Sequence, residues 1–383
     1  MPTRIMMIAG EASGDMHGAN LVSAIRRLDP LADVFGFGGA SMRKAGMTVV
    51  VDASTLAVVG ITEVVANLSA IRRGFRTAEA LLRRKRPDLL ILIDFPDFNL
   101  RVAATAKKLG VPVLYYISPQ VWAWRRGRVK TIGRRVDHMA VILPFEVDFY
   151  RRYGLPVSFV GHPLLDDPDL PVVASKKTPR PDGMVVGLLP GSRVSEIRRH
   201  LPIMLEAALE LARRPGGETV RFVVSRAPEV DPSFFSILCR RCHPGLRLET
   251  EGRGARPLFS RADVLLAASG TVTLEAAMAG VPMVVMYRVS PVSYLLGKLL
   301  IRVPSIALVN LIAGRDIVPE LIQHQATPGR IAGCLMDLLN NPFRIGAMKE
   351  SLLTVRRRLG EPGAADRVAR IAMDMIHDRG LHP

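Results

Sequence analysis

Short apolar runs, each followed by a stretch of helix length, recur along this chain and leave it few folds to choose from. Runs without polar alternation mark strands buried on both faces, and spacers of helix length carry the chain back to begin a parallel neighbour. The runs at 4–9, 32–37, 88–93, 111–117, 138–143 and 157–160 alternate with amphipathic segments near 15–28, 63–85, 98–109 and 145–153. The pattern stops at "DDPDLPVVASKKTPRPDG" (166–183), rich in Pro, Asp and Lys. It restarts with "MVVGLLPG" (184–191), a helix near 194–213, and strands at 220–225, 263–267 and 283–287. The expectation is an α/β protein of two Rossmann-like domains facing across a cleft, 1–170 and 184–345, with 171–183 as linker. A helical tail, 346–383, is expected to pack back on the first domain or to exchange with a second subunit, so monomer and homodimer both stay open. Ligands belong at the carboxyl ends of such strands.

Charge narrows the partners. With Lys plus Arg at 52 and Asp plus Glu at 35, the net charge is +17, which favours anionic ligands. Bases gather in "IRRGFRTAEALLRRKRP" (71–87) and "RRGRVKTIGRR" (125–135), either of which also reads as a solvated helix face. Aromatic residues are not interleaved with them and no zinc-finger or RNA-binding signature is present, so nucleic acid is not the expected partner. Three cysteines cannot build a disulfide framework, and the lone Cys239–Cys242 pair lacks a second pair for zinc. No apolar run reaches the roughly 18 residues of a membrane span. The run at 5–9 reads as a strand and not as a signal peptide, so the chain is expected to work in the cytoplasm.

Four strand-end corners carry candidate chemistry. In "GLLPGSRVSEI" (187–197), Gly191, Ser192 and Arg193 stand where a strand meets a helix, a place whose unpaired N–H groups attract an anion and whose arginine adds a charged fork. Glu196 and Arg199 are spaced for contact along that helix. "ASGTVTLEAAMAG" (268–280) repeats the device with Ser269, Gly270 and Thr271, and Glu275 lies one turn in, placed for a ribose hydroxyl pair. Neither corner has the GxxxxGK[ST] spacing of a triphosphatase, so the pair is read as a site for a diphosphate and its attached sugar.

In the first domain, "GEASGDMHGANL" (10–21) gathers Glu11, Asp15 and His17 at the end of the first strand, with helix capping by Asp15 as the plainer reading. "PDLLILIDFPDFN" (87–99) brings Asp94 out at the carboxyl edge, with Asp97 in the following loop, where a carboxylate can take a proton from a hydroxyl nucleophile. Asp88, at the other end of that strand, reads locally as structural. "YYISPQVWAWRRGR" (115–128) adds Gln120 and two tryptophans, Trp122 and Trp124, open between core and interface. A base in one domain and a nucleoside diphosphate site in the other describe a nucleotide-sugar glycosyltransferase, whose protein groups must carry the departing charge.

The motifs "AGEASGD", "IDFPDFN", "ISPQVWAWR", "LPFE", "FVGHPL", "LLPGSRVSEI", "ASGTVTLEAAMAGVPMVVMYR" and "LVNLIAGRDIVPELIQ" occur in this order nearly end to end. In them the chain closely resembles the lipid-A-disaccharide synthases, bacterial inverting glycosyltransferases of the GT-B architecture. The resemblance implies transfer of 2,3-diacylglucosamine from its UDP derivative to 2,3-diacylglucosamine 1-phosphate, giving the lipid A disaccharide 1-phosphate and UDP, without cofactor or metal. It implies peripheral attachment to the anionic cytoplasmic face of the inner membrane. It implies Asp97 as base, Glu11 near the acceptor, and a role in activity for Asp88, against the local reading of that residue. Arg193 is implied at the diphosphate, Ser269, Gly270, Thr271 and Glu275 in the UDP site, and Asn310 and Arg315 around the nucleotide. In "STLAVVGITEVVANLSAIRRGFR" (54–76), apolar side chains beside Arg72, Arg73 and Arg76 are expected to meet lipid, with ordinary core as the competing reading. The rival activities are a UDP-N-acetylglucosamine 2-epimerase and a non-enzymatic binder of lipid phosphates.

Overall fold

A computed structural model describes residues 2–53, 68–124, 127–170, 183–242, 246, 248–300 and 303–380. The chain divides into two units, Met1–Asp166 with Leu359–Pro383, and Asp167–Arg358. The expected linker, 171–183 but for its last residue, and the apolar part of 54–76, up to residue 67, lie outside the described residues.

In the first unit, β1 (Arg4–Ala9), β2 (Asp33–Gly38), β3 (Thr48–Asp52), β4 (Leu89–Ile93), β5 (Val113–Tyr116), β6 (His138–Val141) and β7 (Val157–Phe159) form one parallel sheet in the order β3-β2-β1-β4-β5-β6-β7. The helices are α1 (Ala12–Leu28), α2 (Ala40–Lys44), α3 (Leu68–Lys85), α4 (Pro96–Lys108), α5 (Arg128–Gly133) and α6 (Pro144–Arg151). The apolar runs are uniform because both faces are covered. Met6, Ile8, Leu90 and Leu92 point into one core cluster, while Ile5, Met7, Leu89 and Ile91 point into the other.

The second unit repeats the plan. β8 (Val185–Leu189), β9 (Arg221–Ser225), β10 (Leu248–Glu251), β11 (Val264–Ala268), β12 (Met283–Tyr287) and β13 (Glu320–Ile322) are ordered β10-β9-β8-β11-β12-β13. Its helices are α7 (Val194–Ala212), α8 (Pro232–Cys242), α9 (Arg256–Arg261), α10 (Val272–Met278), α11 (Pro291–Leu300), α12 (Leu308–Ala313), α13 (Pro328–Leu339) and α14 (Pro342–Arg358). The strands absent from the expected set are β3, β10 and β13: β3 is a half-exposed edge with a run of only three valines, β10 is an edge with polar residues, and β13 is three residues long.

The tail divides at Leu359, later than position 346. α14 stays with the second unit, while α15 (Ala364–Gly380) joins the first. There Val368, Ala369 and Ala372 enter the cluster that holds Leu21, Val22 and Ile25 of α1. Asp166 accepts from the Gly363 and Ala364 N–H groups at the start of α15, and Arg367 donates from Nε to the Val160 carbonyl at 2.8 Å.

One device recurs at the amino edges of both sheets. Arg86-Pro87-Asp88, Arg135-Val136-Asp137 and Arg261-Ala262-Asp263 each precede a strand. Each aspartate accepts from the first N–H of the neighbouring strand, Arg4, Val113 or Val185, at 2.8 Å. Each also donates its own N–H to that same residue's carbonyl at 2.8 to 2.9 Å. Asp88 is therefore a register pin, separated from Asp94 by the whole of β4, about 20 Å at ~3.3 Å per residue. Asp88→Ala strands the Arg4 N–H and is expected to cost about 1–3 kcal/mol. Asp263→Ala should cost a similar amount, and thermal melts of the two variants check the equivalence.

Candidate active site

In doubly wound sheets a crevice opens where the strand order reverses, outside the carboxyl ends of the two central strands. Those points are β1/β4 in the first unit and β8/β11 in the second. The four corners singled out in the sequence fall there in pairs. Ala9 pairs with Ile93, which sets Gly10 and Glu11 beside Asp94; Leu189 pairs with Ala267, which sets Gly191–Arg193 beside Ser269–Thr271.

At the first point the chain is bent hard. Asp94 and Phe95 are consecutive left-handed residues, with φ of 47° and 49°. A non-glycine residue there costs roughly 1–2 kcal/mol. The rest of "IDFPDFN" holds the bend. The Tyr115 hydroxyl and the Asn99 amide each donate to the Asp94 carbonyl at 2.6 Å, Asn99 reaches the Ile93 carbonyl at 3.2 Å, and Phe95 stacks on Phe98 at 5.4 Å. Pro96 opens α4, which puts Asp97 in its first turn. The Asp97 carboxylate is 73% exposed and ion-paired with the Arg128 guanidinium. Burial, then the negative charge of Glu11, pushes the Asp94 carboxyl up to about 6. Sequence reasoning noted Asp94 at this edge without choosing it. Its signal was the β4 run ending directly on an acid.

The gathering of Glu11, Asp15 and His17 does not form one site. Glu11 stands exposed at the N-cap of α1. Asp15 is buried and caps a different helix, α2, accepting from the N–H groups of Gly39, Ser41 and Met42 at 2.6, 2.9 and 3.1 Å. Burial raises its pKa, but those bonds outweigh it and leave the carboxyl below its ordinary value. Burial lowers His17. Among the described residues no three metal-ligating side chains come together.

The two tryptophans part company. Trp122 is buried and donates its indole N–H to Glu146 of "LPFE" at 3.0 Å, while Trp124 is 40% exposed. The Leu143 N–H also donates to Glu146, at 3.0 Å. Burial pushes the Glu146 carboxyl up to about 7, against those bonds. Native Glu146 thus holds a proton through the range, about 4.5 to 7, in which the unfolded chain has lost it. The stability this confers is complete below 4.5 and is lost as pH rises through 7, with a slope of up to about 1.4 kcal/mol per pH unit. Glu146→Gln should remove that slope from urea-unfolding free energies measured between pH 5 and 8.

In the second unit both corners line one pocket of about 600 Å³. Gly191 adopts φ of 111°, and a Cβ there would lie 2.6 Å from Glu196 Oε2. That close approach lets Glu196 cap the 19-residue α7, accepting from the Arg193 N–H and guanidinium at 3.4 Å each. α10 is only seven residues long, so α7 supplies the stronger N-terminal field. Ser269, Gly270, Thr271 and Glu275 line the same pocket. Sequence reasoning missed three further lining residues: Ser225, at the end of β9, and Arg253 and Arg256, because polar β10 was not recognised as a strand. The run "EGRGARP" (251–257) was its available signal.

Asn310 and Arg315 do not line this pocket. Asn310 is buried with its amide engaged: it donates to the Val318 carbonyl and Glu320, and accepts from the Ile317 and Val318 N–H groups. Arg315 donates to Ser351 at 3.1 Å and lines a separate cavity of about 380 Å³ beside the segment that enters β13. β13 runs parallel to its neighbour β12, so that segment lies at the amino edge of the sheet.

Two such sheets, each with its corners at the switch point, define the GT-B class of glycosyltransferase fold. Solved structures agree: the UDP-GlcNAc 2-epimerase of Neisseria meningitidis bound to UDP-GlcNAc has a TM-score of 0.64 at 11% identity, covering 97% of this chain and 100% of that one. The glycotransferase of kitacinnamycin has a TM-score of 0.64 at 17% identity, covering 98% and 99%. At such identities they speak for the fold alone. Residues 5–367 match the family model for lipid-A-disaccharide synthetase. The lipid-A-disaccharide synthase of Geobacter metallireducens is 47% identical over 377 residues, covering 97% of each chain. That of Coxiella burnetii is 38% identical over 378 residues, covering 97% of this chain and 98% of its own. The chain belongs to the lipid-A-disaccharide synthase family, and is a glycosyltransferase of lipid A disaccharide synthesis. No described helix is long and apolar enough to cross a membrane.

Proposed function

We propose that the chain transfers 2,3-diacylglucosamine from UDP-2,3-diacylglucosamine to 2,3-diacylglucosamine 1-phosphate, with inversion. The observation that carries this is the pairing of corners: carboxylates at one switch point, and an N–H-rich pocket with arginines at the other. The acceptor hydroxyl oxygen attacks the donor's anomeric carbon from the face opposite the diphosphate. Its proton passes to Asp97, the bond from carbon to diphosphate oxygen breaks, and UDP leaves. The charge that develops on UDP falls to the α7 N-terminal N–H groups, fixed donors that need no reorganisation, and to the Arg193 guanidinium. Glu275 takes the ribose hydroxyls, and Glu11 lies toward the acceptor. Asn310 acts through the turn before β13, and Asp88 through the register of β1 and β4.

Membrane attachment rests on α3, whose Arg72, Arg73 and Arg76 are exposed while Ala78 and Leu82 are buried in the core. At about 1 kcal/mol per base near an anionic leaflet, a few such residues hold the enzyme reversibly at its lipid substrates. The test is incubation with both lipids in detergent and chelator, with mass spectrometry of the products. Disaccharide 1-phosphate and UDP in equal amounts support the reading. UDP without disaccharide points to hydrolysis or epimerisation, and lipid binding without either product points to a non-enzymatic lipid-phosphate binder.

A further inference from the structure

Arg256 opens α9 and faces the 600 Å³ pocket, yet neither the corner motifs nor the proposed chemistry uses it. Its guanidinium lies between two acids: Nη2 donates to Asp167 Oδ2 at 2.6 Å, and Nε lies 3.6 Å from Glu275 Oε2. All three side chains are largely withdrawn from water, at 35%, 17% and 19% exposure for Arg256, Asp167 and Glu275. The other described arginines lining the pocket are each paired with another acid. Arg193 pairs with Glu196 at 3.4 Å, and the Arg253 fork takes both oxygens of Glu251 at 3.0 and 3.2 Å. Among the described residues, then, Arg256 is the cation that reaches Glu275.

We propose that Arg256 is a positioning residue for Glu275, holding that carboxylate ionised and aimed at the ribose hydroxyls of the nucleotide, with Asp167 fixing Arg256 in turn. The proposal rests on the nucleotide reading of this pocket. A carboxylate accepts from two hydroxyls at once, whereas a protonated carboxyl spends one oxygen as a donor. Burial pushes the Glu275 pKa up, Arg256 opposes it, and Asp167 adds to it, leaving a net rise. The remaining charged groups lining the pocket are Arg193 and Glu196 from α7, and Glu229 and Arg253 from the loops after β9 and β10. Removing the Arg256 charge leaves burial and Asp167 unopposed, and Glu275 then holds its proton at higher pH.

The test is binding of uridine, by ligand-observed NMR, and of UDP, by calorimetry, to full-length protein at pH 8 and pH 6. Arg256→Gln should weaken uridine and UDP by the same factor, on the order of ten- to a hundredfold, with the larger loss at pH 6. Arg256→Lys, which keeps the charge, should restore most of the pH 6 affinity, an effect a packing role would not produce. Loss of UDP affinity with uridine unchanged would assign Arg256 to the diphosphate and overturn the proposal, as would a loss independent of pH. If the parent protein binds neither ligand, the nucleotide reading itself fails. If Arg256→Gln does not fold, Asp167→Ala, which removes the oxygen that Arg256 is held by, decides: an unchanged uridine affinity overturns the proposal, and a uridine loss equal to the UDP loss supports it.

Discussion

Asp97→Asn should lower turnover by about a hundred- to ten-thousandfold, the usual worth of a positioned general base, while UDP affinity stays as it was. Asparagine keeps the shape, the place in the first turn of α4 and an oxygen for the Arg128 guanidinium. It lacks only the capacity to take a proton. UDP binding is the control, because its proposed site lies in the other unit. Steady-state product formation by mass spectrometry and calorimetry with UDP measure the two quantities separately. Retention of more than about a tenth of the activity would remove Asp97 from the role. Asp94→Asn is then the next variant, because its carboxyl, pushed up to about 6 by burial, stands at the same strand end.

Gly10→Ala should be nearly as damaging without touching any polar group. A Cβ at Gly10 would meet three side-chain atoms of Phe95, the farthest at 2.7 Å. Phe95 has little room to retreat. Its backbone is left-handed, its ring is stacked on Phe98, and the Asp94 carbonyl just before it is tied to Tyr115 and Asn99. Forcing a methyl into such packing costs about 1–3 kcal/mol. Relief comes by displacing the turn that carries Asp94 and Asp97, and a shift of about 1 Å at reacting groups can cost on the order of a hundredfold in rate. The expected result is a lower melting temperature, turnover reduced about a hundredfold and unchanged UDP affinity. The double variant Gly10→Ala/Phe95→Ala should recover turnover relative to Gly10→Ala alone. If it does not, the ring contact is not what Gly10 protects.

The second prediction depends on the "AGEASGD" and "IDFPDFN" corners being neighbours, which no local pattern of residues states. Uniform apolar runs identify β1, β4, β8 and β11 because each is buried on both faces, and burial on both faces shows in the residues of the strand itself. The small residues and acids after those runs mark the corners for the same local reason. The resemblance adds the role of base for Asp97, and Asn310 and Arg315 around the nucleotide. Edge strands such as β10 are paired on one side only and carry polar residues, so Arg253 in the loop after β10 and Arg256 at the start of α9 stayed hidden.

Asp88 and Asp94 flank the same apolar run and are chemically alike. Only hydrogen-bond register, which pairs Asp88 with Arg4 and brings Asp94 beside Glu11, makes one a pin and the other a perturbed acid. Asn310 and Arg315 sit in a motif that only the resemblance places around the nucleotide, and the direction of β13 sets the segment entering that strand at the amino edge of its sheet. The identity and period of side chains along one strand are local properties, legible in order. Which strands lie side by side, and which ends of them meet, is settled by non-local backbone bonds and by the reversal of strand order at the switch point.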